Sequence, residues 1–178
     1  MADIIDDIHA EHRILSRLLK RLEQEVDVFA RGERPDFELI RDILDFLLTW
    51  PAACHHPREA VLERYLAKAA PEAAAEVNLE AEHARMGEQL RTMAQALESI
   101  LMEIEVSRET FVAMTRNFIA RFKYHLAMEE EEFLPLARKE LTREQLEAAA
   151  KEARGETEKT PLCRDVARVE SLLRACET

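Results

Sequence analysis

Apolar residues recur at every third or fourth position along most of this chain, and the stretches where that rhythm stops are short. From Asp3 to about Phe29, the residues Ile4, Ile5, Ile8, Leu15, Leu18, Leu19, Leu22 and Val26 keep helical spacing. The run ARGERPD ends that helix. Asp36 is placed to N-cap a second helix, FELIRDILDFLLTW. Pro51 and Pro57 each remove a backbone hydrogen bond, so a kink or interruption is expected before the helix resumes through REAVLERYLAKAA. A third helix is expected from about Ala73 to Glu103, burying Val77, Leu90, Met93, Leu97, Ile100 and Leu101. Ser107 caps a fourth, RETFVAMTRNFIARFKYHLAMEEEEFLPLARKE, which stops soon after Pro135.

Four long helices with short connections predict an all-α, up-down-up-down four-helix bundle over residues 3–140. Residues 141–178 read as a C-terminal extension of two short helices packed on it. The first opens on a Thr142–Gln145 capping box and ends at Gly155; the second opens at Thr160 and Pro161 and runs to about Leu172.

Composition agrees: 47% hydrophobic and 34% charged residues with only three glycines suit helices rather than sheets and their turns. A net charge of −11 argues against nucleic acid or an anionic membrane as partner. The acidic start MADIIDDIHAEH does not read as a signal peptide, and no apolar run is long enough to span a bilayer. Cys54, Cys163 and Cys176 are too few and scattered for a disulfide framework, and Cys54 reads as a buried, inert thiol. These features predict a soluble cytoplasmic protein and leave a homodimer open.

The chemistry lies in an internal repeat. The tripeptide AEH ends at His12 and again at His83. His55 follows the first by 43 residues and His125 follows the second by 42, and each opens a His-x-x-x-Glu, ending at Glu59 and Glu129. That spacing puts imidazole and carboxylate on one helix face, with Cβ atoms about 6 Å apart. A single such pair means little in so acidic a chain. Two, each preceded by AEH at almost equal distance on alternating helices, bring four histidines and two glutamates into one core. Buried carboxylates must be paired, protonated or metal-bound, and a pair of metal ions satisfies both. His56 also shares a face with Glu59, as extra ligand or as a hydrogen-bond donor to one. His9, one turn before His12, can approach the site or stand half exposed. Tyr65 and Tyr124 read as core tyrosines, with hydrogen bonding to a ligand or a redox-active phenol as the alternative, and Glu130 to Glu132 as a solvated face with one member free to bond a ligand histidine.

At these residues the sequence resembles the hemerythrin-like, or HHE cation-binding, family, over about residues 3–140. The resemblance implies a non-haem di-iron centre with an oxo or hydroxo bridge. Its ligands would be His12, His55, Glu59, His83, His125 and Glu129, both glutamates bridging, with zinc or manganese as substitutes. The chain departs from the oxygen-carrying members in having Gly87 where they have a second third-helix histidine, and His-x-x-x-Glu where they end on His-x-x-x-x-Asp. It is closer to bacterial di-iron proteins of iron–sulfur repair and nitrosative or oxidative stress. Six ligands and a bridge leave about one open position per iron, which predicts reaction with O2, peroxide or nitric oxide, or iron supply for cluster repair. The alternative is a metal- or oxygen-responsive sensor, or a storage module without turnover.

Overall fold

The computed structural model describes residues 3–75, 79–103 and 106–177. Every regular element in them is helical: α1 (Ile4–Ala30), α2 (Phe37–Trp50), α3 (His56–Ala69), α4 (Pro71–Ala74), α5 (Leu79–Leu101), α6 (Arg108–Met128), α7 (Leu134–Glu140), α8 (Arg143–Thr157), α9 (Pro161–Arg164) and α10 (Val166–Ala175). The bundle's four long members are α1, α2 with α3, α5, and α6 with α7. The expected caps form, with Asp36 accepting from the Leu39 amide and Ser107 from the Thr110 amide. No helix among the described residues is long and apolar enough to cross a membrane.

The second and fourth members each carry an extra residue in one turn. Residues Pro51–His55 and Glu129–Phe133 are π-helical, closed by the His56 amide on the Pro51 carbonyl and the Leu134 amide on the Glu129 carbonyl. In both, a proline stands two residues beyond, Pro57 and Pro135. Neither proline can donate to the carbonyl one turn back, and its ring would strike that carbonyl in a regular helix. The wider turn relieves the clash, and the chain runs through rather than breaking. One inserted residue re-phases the following face by about 100°.

Two apolar clusters fill the bundle. One joins Leu15, Leu18 and Leu22 to Ile43, Leu47, Trp50, Met86, Leu90, Phe118 and Leu126. The other joins Ile4, Ile5 and Ile8 to Val61, Leu62, Leu79, Phe133 and Leu134. Along every long member the change from one cluster to the other falls at a histidine or glutamate of the repeat, so the polar residues form a belt between two dry ends.

Several expectations are corrected. Leu101 is 37% exposed, and where the third helix is expected to run on, Pro71–Ala74 closes at Ala75 and the long helix is Leu79–Leu101; Val77 lies outside the described residues. The helix α8 continues past Gly155 to Thr157, burying Leu146, Ala149, Ala150 and Ala153 in the second cluster. The last helix is two pieces, because Asp165 leaves helical geometry and its carboxylate caps α10 at the Arg168 amide. Cys54 is buried but not a free thiol: it is disulfide-bonded to Cys163, tying α9 to the π-helical turn beside His55.

Candidate metal centre

The belt brings together all six residues singled out by the repeat. His12, His55, Glu59 and Glu129 form one group of converging ligand atoms, and His83, His125 and Glu129 a second. Each carboxylate divides its oxygens between the two halves. Glu59 Oε1 lies 2.8 Å from His55 Nε2, while its Oε2 lies 3.4 Å from His83 Nε2. Glu129 does the converse, with Oε2 3.2 Å from His12 Nε2 and Oε1 2.9 Å from His125 Nε2. The His83 and His125 Nε2 atoms face one another at 3.0 Å. Glu59 and Glu129 are 1% and 0% exposed, so water does not stabilise their charge.

An outer set of acceptors orients the rings. His12 Nδ1 lies 2.6 Å from Glu130 Oε1 and His55 Nδ1 lies 2.9 Å from Glu11 Oε2. With those N–H groups donated outward, each Nε2 turns a lone pair inward. Glu11 is held in turn by an ion pair with Arg58, and Trp50 lies parallel to the His55 ring at 6.4 Å.

For the polypeptide alone this arrangement sets charged carboxylates against imidazoles in a dry interior. Burial acts to lower the His12 pKa, but the facing carboxylates of Glu129 and Glu59 outweigh it and raise the value to about 9. Burial and Glu59 both push Glu129 up, yet His12, His125 and His83 bring it down to about 2. Glu59 is likewise held below the ordinary carboxylate range, burial being outweighed by His55 and His12. For His56, burial and then the neighbouring His83 lower the value to about 3, so its ring is neutral.

The fit to metal ions rests on buried atoms that find no hydrogen-bond partner: His12 Nε2, His55 Nε2 and all four oxygens of Glu59 and Glu129. Their spacings are short, but the angles place no hydrogen between them. Orphaned buried polar atoms are rare and costly, and lone pairs pointed at a common centre are what a cation requires. Imidazole with carboxylate suits iron, and zinc or manganese as well.

The remaining candidates sort clearly. His56 stacks on His83, ring centroids 3.6 Å apart and 5° from parallel, and shares a third group of ligand atoms with Glu59 and His83. His9 is one step removed, its Nδ1 2.7 Å from Glu130 Oε2. Tyr124 is not a core residue, being 74% exposed, whereas Tyr65 packs against the second cluster with its hydroxyl donating to Glu152 on α8. Sequence reasoning missed Glu11 and Arg58. The signal was present, since Glu11 is the middle residue of the first AEH, but its counterpart Glu82 pairs with Arg85 and Arg121.

No curated protein and no solved structure matches the chain. The hemerythrin HHE cation binding domain matches residues 3–137, a span that carries every side chain of the belt. With four helices converging histidines and glutamates on a common centre within that span, the chain belongs to the hemerythrin HHE cation-binding family.

Proposed function

We propose that the protein holds two iron ions at this centre and reacts with O2, peroxide or nitric oxide, or supplies iron for cluster repair under stress, as in the bacterial di-iron proteins it resembles. In this reading His12 and His55 would hold one ion and His83 and His125 the other, with Glu59 and Glu129 each offering an oxygen to either side. The division of each carboxylate's oxygens between the two histidine pairs is the observation that carries it.

Two bound irons would supply reversible electron transfer to a small oxidant. The chain's own residues prepare that chemistry. Glu11 and Glu130 hold the His55 and His12 rings in their ligating tautomer, the two apolar clusters keep bulk water from both ends, and Gly87 leaves the His83 side without a further ligand from α5. We include a cytoplasmic location in the proposal, where the thiol pool would act on the Cys54–Cys163 bond.

The test is absorption spectroscopy of protein reconstituted anaerobically with ferrous iron, before and after peroxide, O2 or nitric oxide. Di-iron charge-transfer bands that change on addition, with the reactant consumed over repeated cycles, are expected. Bands that form without consumption would assign a sensor or store instead. Absence of bands under every condition would remove the reading.

A further inference from the structure

Two cavities reach the belt, and they differ in charge. One, of about 700 Å3, has His56, Glu59 and His83 in its wall, with Glu63 and Glu80 further along and Arg91 as its cationic member. The other is lined by His12 and Glu130 together with Arg13, Arg17 and Lys123. On that second side the outer nitrogen of His12 is already committed to Glu130. A wall with an excess of one sign of charge concentrates counter-ions, so the first cavity, with more carboxylates than cations, favours an approaching divalent cation and the second disfavours it.

The carboxylates of the first cavity descend toward the centre. Glu80 is exposed, Glu63 is half-buried, and Glu59, one helical turn before Glu63 on α3, is buried with both oxygens free of hydrogen bonds. At the inner end, His56, Glu59 and His83 converge as a cation-sized group distinct from the two that make up the centre. His83 belongs to both this outer group and the group it forms with His125 and Glu129. Glu59 and His83 cannot serve the outer group and both inner ones at once, so the outer group suits passage rather than residence.

Resting on the di-metal reading, we infer that His56, Glu59 and His83 form a transit site for a divalent transition-metal cation, fed past Glu80 and Glu63, through which the centre loads and unloads. His56 and Glu59 receive the incoming cation with His83. His83, common to both groups, would stay engaged while His125 and Glu129 take the place of His56. No bond order or oxidation state changes; the exchange is of donor lone pairs alone. The second histidine of HHPRE thus acts in delivery, and Gly87 lines the same cavity without adding a side chain to it.

The test is stopped-flow uptake of Co2+ by the metal-free full chain, read by cobalt ligand-field absorption, with release into excess chelator and equilibrium affinity measured on the same samples. In His56→Ala, uptake and release of one ion should both slow about tenfold, with two ions still bound at unchanged affinity. Glu63→Gln, at the more open part of the cavity, should slow uptake most at low ionic strength, and it carries the test if the first variant does not fold. Unchanged rates in both variants would overturn the inference. So would weakened affinity for one of the two ions in His56→Ala, which would make His56 a resident ligand. A wild-type chain that fails to hold two Co2+ would instead remove the di-metal reading, and this inference with it.

Discussion

Replacing Glu11 with alanine separates an orienting carboxylate from the ligands it serves. Its Oε2 takes the His55 Nδ1 proton at 2.9 Å, and its Oε1 is paired with Arg58. The substitution removes one charge-assisted hydrogen bond, about 1.5–3 kcal/mol, and lets His55 rotate or adopt the wrong tautomer. Loss of such an outer partner costs about 10–100-fold in metal affinity, or about 1.4–2.7 kcal/mol. The loss should fall mainly on the ion served by His12 and His55. Folding stability should drop as well. Breaking a buried ion pair costs about 3–5 kcal/mol, and because the Arg58 side chain keeps 18% of its exposure the lower end applies. Glu11→Gln retains an acceptor for His55 and should recover part of the affinity but little of the stability. The assay is competitive Zn2+ titration against a chromophoric chelator, with denaturant unfolding of the metal-free variants alongside. Wild-type affinity for both ions in a folded Glu11→Ala protein would refute the claim that this carboxylate sets the ligating state of His55.

Three further outcomes follow from the same geometry. Glu59→Ala and Glu129→Ala should each weaken both ions together, because each carboxylate faces both histidine pairs; one ion retained at full affinity in calorimetric titration would show that the carboxylate serves one metal only. The raised His12 pKa makes metal affinity climb with pH up to about 9, since the bound cation displaces that proton. In the metal-free chain the same group contributes stability that is complete below 6.5 and lost as pH rises through about 9, so thermal midpoints should fall across that window without metal; identical pH profiles with and without metal would contradict this. Cys163→Ser opens a link spanning 109 residues and should lower unfolding stability by about 2–4 kcal/mol while leaving metal stoichiometry intact, so an unchanged denaturant midpoint would show the bond to be energetically idle.

The periodicity of Ile4 to Val26 and the paired AEH and His-x-x-x-Glu segments were enough to reveal the bundle and the belt, because both are one-dimensional patterns of residue type. What stayed hidden depends on the third dimension. Pro51, Pro57 and Pro135 were visible as disturbances, but only the backbone shows that a π-turn absorbs them without breaking the helix. The repeat implied like roles for Glu11 and Glu82; the helices set Glu11 against His55 and leave Glu82 among surface arginines, so the two halves are not equivalent. The Cys54–Cys163 pair is far apart in sequence and meets only because α9 folds back on the π-turn. His56 was ambiguous because its spacing from Glu59 does not tell a resident ligand from a neighbour; here it converges with Glu59 and also stacks on His83 at the edge of a cavity.

The most direct test of the account is metal content. The full chain would be stripped, reconstituted anaerobically with ferrous iron, freed of loose metal and measured by elemental analysis against quantitative amino-acid analysis. The two ligand groups that share Glu129 predict two iron ions per chain, with zinc or manganese filling the same two positions when iron is withheld. A folded chain that retains no tightly bound transition metal after reconstitution would contradict it, and would leave six buried, inward-facing lone-pair atoms without a role.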